Sequence, residues 1–181
     1  MLTGEVVSVS RSPLHGFSKE VVPEIRILAG LGVEGDAHAG AKVQHLYRVR
    51  KNPNAANLCQ VHLLAVELFE ELHLQGLEVS PGQMGENITV RGVDLFGLPV
   101  GARIGLGPDA LVEVTGLRDP CNQLNGLRPG LMKACLARDA SGAFIRKAGI
   151  MGIALRSGVL RAGSLVTVEL PPKPHRTMGP V

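Results

Sequence analysis

Aromatic residues are scarce in this chain. Its 181 residues include four Phe, one Tyr and no Trp. A platform for single-stranded nucleic acid stacks bases on such rings, so that class of function is excluded. Charge is sparse as well: 19% of residues are Asp, Glu, Lys or Arg, and the net charge is +3. No basic run is long enough to follow a nucleic-acid backbone; the small surplus suits a small anionic ligand instead. Long apolar runs are absent. None approaches the ~20 residues of a membrane-spanning helix. The opening Met1-Leu2-Thr3-Gly4-Glu5 lacks the basic start and apolar block of a secretion signal. The three cysteines are scattered and make no disulfide framework. A cytoplasmic protein in a reducing compartment is expected, with no nucleic-acid or membrane partner.

The material for a folded core is present, since 45% of residues are apolar. Glycine (23) and proline (12) cut these residues into short runs. Seven runs read as strands: Glu5–Val9, Glu24–Leu28, Glu86–Val90, Ala102–Leu106, Leu111–Thr115, Ile153–Leu155 and Leu165–Leu170. Many short, punctuated strands predict a mainly β fold, a sandwich or barrel. One prominent helix is predicted over Val61–Leu74. Leu64, Leu68 and Leu72 recur every fourth residue, and Gly76 is placed to cap its end. A shorter helix is predicted over Leu131–Arg138. The stretch Arg48–Asn57 reads as a polar loop. One domain is expected over residues 1–171, followed by a Pro-rich tail over 172–181.

Several motifs carry chemistry. Leu111-Val112-Glu113-Val114 alternates toward a strand that Pro120 must terminate, because proline donates no ladder hydrogen bond. Cys121 then sits on a loop, three residues after Arg118, where reactive thiols are found. A free thiol with a pKa of ~8.5 is only a few per cent thiolate at neutral pH, so neighbours decide its reactivity. Cys135 lies in an apolar run and reads as core. Asp36 and His38 stand two apart between Gly35 and Gly40. They are acid–base partners or ligands, or else an Asp-capped turn with an exposed histidine. Glu86 and Asn87 stand at a strand mouth after Gly82 and Gly85, whose backbone can approach a ligand closely. Arg146-Lys147 is a basic pair beside a turn, suited to a phosphate or to a solvated corner. Gly30-Leu31-Gly32-Val33-Glu34-Gly35 matches a dinucleotide-binding fingerprint, but no helix pattern comes after it, so the glycines are read as turn residues. A zinc site from Asp36, His38, His45, Cys59 or His62 lacks compact ligand spacing.

Taken in order, Gly35–Gly40, Pro81–Thr89, Leu95–Gly101, Thr115–Cys121 and Gly149–Gly152 with Gly158–Gly163 resemble the MOSC domain. This is the module at the C-terminus of molybdenum-cofactor sulfurases, and it also occurs as stand-alone bacterial proteins. The chain looks most like the stand-alone branch. It departs from the family pattern at Gly163-Ser164, where Gly-Asp is usual. The resemblance implies a barrel-like β fold with one prominent helix and one or two short ones. It implies the molybdenum cofactor (molybdopterin) as ligand, and Cys121 as the residue that ligates molybdenum or carries sulfur. His38 and Asp36 are then expected to handle protons. Arg118, Asn87, Glu86, Arg146 and Lys147 are expected around the anionic cofactor. Two activities fit: sulfuration of the cofactor, with a sulfur-donor protein, or reduction of N-hydroxylated compounds, with an electron-donor reductase. A non-catalytic cofactor carrier is the alternative. Pyridoxal phosphate, which belongs to a separate domain of full-length sulfurases, is not expected here.

Overall fold

The computed structural model describes residues 2–138 and 140–181. In chain order the described residues form β1 (Leu2–Arg11), β2 (Glu20–Val22), β3 (Ile25–Leu28), β4 (Gly32–Val33), α1 (Leu46–Lys51), β5 (Val61–Ala65), α2 (Val66–Leu74), β6 (Ile88–Arg91), β7 (Arg103–Leu106), β8 (Ala110–Leu117), α3 (Gln123–Leu127), α4 (Leu131–Ala134), β9 (Leu136–Arg138), β10 (Phe144–Arg146), β11 (Ile150–Arg156), β12 (Gly158–Leu160) and β13 (Leu165–Glu169). Seven strands close into a barrel in the order β13-β7-β8-β11-β5-β6-β1, and β1 pairs back to β13. Closure leaves no long sheet edge open to other chains. Every barrel pairing is antiparallel except β5–β6. That parallel pair needs a crossover, which α2 and the glycine-rich loop after it provide.

Alternation fills the barrel. In β8, Ala110, Val112 and Val114 point inward and are buried, while the residues between them are half-exposed. In β1 a bulge between Val6 and Ser8 shifts the register, so that Val6 and Val9 both enter the core. Val61, Leu63 and Ala65 of β5 face the same core. Leu64 faces the other way, into a second cluster with Leu68, Phe69 and Leu72 of α2 and Met84, Leu124, Leu131 and Cys135.

This double burial corrects the helix predicted over Val61–Leu74. Its first five residues are strand, and the helix begins at Val66. A strand buried on both faces shows no alternation, so its apolar run merged with the helical period. Gly76, at φ 76°, does close α2 as expected. The second predicted helix is likewise shorter: α4 ends at Ala134 and β9 comes next. The stretch 48–57 is not wholly loop, since α1 takes its first four residues. The glycines of Gly30–Gly35 serve the β3–β4 turn region, with positive φ at Gly30, Gly32 and Gly35. Residues 171–181 form no regular element but fold back on the barrel, where Met178 joins the core and Pro180 bridges to Leu117. Among the described residues no helix is long and apolar enough to cross a membrane.

Candidate functional site

One barrel end gathers the chemistry. There β8 finishes at Leu117 opposite Ile150 of β11, and Leu63 of β5 stands beside Ile88 of β6. Arg118 comes directly after β8, and its N–H donates to the Gly149 carbonyl at 3.0 Å. Asn87 and Glu86 precede β6, and Asp36 and His38 come after β4. Five sequence-predicted residues from three distant segments therefore meet at one end.

Asp36 is the anchor. Its carboxylate is buried and accepts from Lys19 Nζ (2.7 Å), Asn87 Nδ2 (3.0 Å), the His38 N–H (2.9 Å) and the Ser12 N–H (3.2 Å). His38 Nδ1 also lies 3.4 Å from its Oδ1. Burial alone pushes this carboxyl upward, but the bonds from His38 and Lys19 overcome that and hold it well below the usual carboxylate range. Asp36 is thus a fixed anion. It caps its own turn, as the blander reading of the sequence had it, and it also orients His38. Lys19 is buried against it, and burial lowers that ammonium despite the carboxylate. Asn87 stitches the region together. Its Nδ2 also donates to the Ser10 carbonyl of β1 (3.2 Å), and its Oδ1 accepts from the His62 N–H of β5 (3.1 Å).

Glu86 lies beneath this floor, fully buried. Its Oε1 accepts from the Gly82 N–H (2.5 Å) and the Thr89 hydroxyl (3.1 Å), while Oε2 meets no protein partner. Burial pushes its carboxyl up. Gly82 is needed here: at φ 82°, a Cβ would lie 2.5 Å from the Lys19 carbonyl oxygen.

Arg118 is the electrostatic hub. It acts on Lys19, His45, His62 and Glu86, and on the Cys121 and Cys135 thiols. Its guanidinium stacks over Phe17 at 5.2 Å, yet Nη1 is buried without a partner. A buried cationic donor left open is costly unless an anion meets it. Cys121 is a free, half-exposed thiol whose Sγ contacts Gln123 Oε1 at 3.5 Å. Cys135, by contrast, is fully buried, and burial raises its thiol to about 11.

The basic pair is placed differently. Arg146 Nε bonds Asp119 Oδ1 at 2.8 Å and so borders the Cys121 loop, whereas Lys147 Nζ bonds Glu71 of α2 at 2.6 Å, on the helical side. Sequence reasoning missed Lys19, Phe17 and His15, and it weighed His45 and His62 only as zinc ligands. The ring of His38 lies 5.4 Å from that of His15 and 6.4 Å from that of His45. His62 is buried with Nε2 2.8 Å from the Ala148 carbonyl; burial and then Arg118 push it down to about 3. Nothing local marked these residues, because each reaches the site through long-range pairing. Among the described residues, no three His, Cys, Asp or Glu side chains gather to hold a metal ion.

The MOSC domain family profile matches residues 48–167. The chain belongs to the MOSC domain family. This family is associated with the molybdenum cofactor. Solved structures share the MOSC fold. The YuaD protein of Bacillus subtilis superposes with a TM-score of 0.74 at 23% identity, over 94% of this chain and 97% of that one. YiiM from Escherichia coli gives 0.62 at 20% identity, over 97% of this chain and 74% of its own. YiiM from Geobacillus stearothermophilus gives 0.57 at 20%, over 93% and 74%. A search of curated proteins gives no match.

Proposed function

We propose that this MOSC protein binds the molybdenum cofactor at the barrel end that carries Cys121 and Arg118. The supporting observation is the open, buried Nη1 of Arg118 beside a free thiol. Arg118 would meet an anionic group of the cofactor, with Arg146 at the rim and Lys19 adding positive charge from below. Cys121 would supply a soft thiolate to molybdenum, or carry sulfur for it. Among the described residues no three His, Cys, Asp or Glu side chains gather to hold a metal ion, so a metal held by Cys121 would bring ligands of its own, as a cofactor-borne metal does. When bound, the cofactor supplies two-electron redox chemistry.

The catalytic reading is reduction of an N-hydroxylated compound. That reaction breaks an N–O bond, takes two electrons from a partner reductase and two protons, and releases water. Asp36 stays ionised and orients His38; His38, at the same barrel end, passes the proton. Asn87 keeps Asp36 in register. This proton-handling network favours an enzyme over a passive carrier. Sulfuration of the cofactor would use the same thiol, recharged by a sulfur-donor protein.

Molybdenum and pterin content of purified wild-type protein and a Cys121→Ser variant tests the reading. Wild type should carry both, and the variant should lose molybdenum. Equal molybdenum in the two would remove Cys121 as ligand. An Arg118→Met variant should lose the pterin as well. Turnover of an N-hydroxylated base with an added reductase separates enzyme from carrier.

A further inference from the structure

Helix α1 has six residues and buries none of them. Leu46 and Tyr47 are 54% and 58% exposed. A helix this short is not stable alone, and it has no apolar face to dock. Yet it stands beside His38. His45 is its N-cap and faces His38, and His15 Nε2 meets the preceding Gln44 carbonyl at 3.0 Å.

Polar contacts seat it instead. The segment is pinned at its base by the Lys42–Ala56 bridge and the Val43 N–H to Ala55 carbonyl bond. Its far side is held by Arg48, whose Nη2 donates to the Val181 carbonyl. Val181 is itself fixed. Its N–H donates to the Leu117 carbonyl (3.1 Å), and the Leu117 N–H donates to the Gly179 carbonyl (2.8 Å). Gly116 makes room for this: a Cβ there would lie 2.3 Å from Val181 Cγ2 and 2.5 Å from the Gly179 oxygen. Met178 anchors the tail in the barrel core. The tail thus lies along β8 up to the residue before Arg118, and a charge-assisted hydrogen bond joins α1 to it.

We propose that Arg48 is a positioning residue: by clasping Val181 it seats α1, and with it His45, beside His38 at the barrel end that carries Cys121 and Arg118. This rests on reading that end as the functional site. Its readouts need no cofactor, so the two ideas fail separately.

Cys59 is a built-in reporter. It is half-buried and within electrostatic reach of Arg48, while Cys135 in the core serves as control. Three variants of the whole chain are compared with wild type: Arg48→Ala, Arg48→Lys, and a chain lacking residues 179–181. Iodoacetamide labelling, amide exchange and NMR titration of His45 are measured. Arg48→Ala and the deletion should both raise exchange across residues 41–57 about tenfold or more, as expected for losing a charge-assisted bond, and the deletion, which keeps the Arg48 charge that holds the Cys59 thiol down, should raise Cys59 labelling to a similar extent. Cys135 should not change. His45 is held low by burial and then by His38, Arg48, His15 and Arg118. In the deletion the Arg48 charge stays, so an upward move of His45 there reports lost burial. Arg48→Lys should restore most of the wild-type behaviour. Unchanged exchange, Cys59 labelling and His45 titration in the deletion overturn the proposal. So does a parallel rise at Cys135, which would make the contact one of general stability.

Discussion

Arginine marks both ends of the barrel, with opposite meanings. At the far end, Arg26, Arg156 and Arg161 line a cleft of about 1020 Å³. Arg161 pairs with Glu24 at 3.2 Å and Arg26 with Glu34 at 3.8 Å, all of them more than half exposed, and Arg156 Nε bonds the Asp109 carbonyl. Water screens such pairs, and they contribute little. At the near end, Arg118 is desolvated and one donor is open. The far arginines are satisfied by solvent and neighbours; the near one keeps a donor without a protein partner. Burial, rather than the number of charges, separates a site from a surface.

The comparison can be broken first at Asp36. Asp36→Ala strands the buried Lys19 ammonium, and should cost about 3–5 kcal/mol in urea unfolding. A loss as small as that of a surface pair would mean the near end is not truly desolvated.

Acid should expose the same contrast. His62 is held down to about 3 in the folded chain, against ~6.5 when unfolded. Between these values the unfolded chain binds the extra proton, so stability falls as pH drops from ~6.5 toward 3. Asp36, whose carboxyl is depressed, adds a further loss below ~3.9, as its folded pKa is approached. Urea midpoints across this range should show the first slope in wild type and lose it in His62→Gln. Identical slopes would place the acid sensitivity elsewhere.

A sharper test uses the two thiols near Arg118. With Cys135 pushed up to about 11 and fully buried, fewer than ~1 in 1,000 of its thiols ionise at neutral pH. Iodoacetamide should label Cys121 at least ~100-fold faster in the native protein. Equal rates would end the case for Cys121 as the accessible nucleophile. The smallest effect belongs to the far end: Arg161→Ala should change stability by less than ~0.5 kcal/mol. A large loss there would erase the distinction between the two ends.

Much of the near end was legible in the chain. Glycines forced turns at Gly35–Gly40 and Gly82–Gly85, and Pro120 forced the end of a strand, so Asp36, His38, Asn87 and Cys121 stood out beside breaks in regular structure. The β5 strand was not legible, because Val61–Ala65 packs on the barrel with one face and on α2 with the other. Burial on both sides erases the alternation that identifies a strand. Lys19 was equally silent, since it lies in no motif. Lys147 illustrates the reverse: it adjoins Arg146 in sequence, yet Glu71 of α2 takes it to the helical side.

By itself the sequence determined the class of fold, the family pattern and the cysteine to watch. These rest on local rules: glycine and proline dictate where strands stop, and a stopped strand leads into a loop. Tertiary structure alone decided that the guanidinium of Arg118 is buried without a full set of partners. It also made Asp36 a fixed anion and Cys135 inert. Those properties depend on desolvation and on partners up to 51 residues apart, such as Asp36 and Asn87, and they exist only once the barrel has closed.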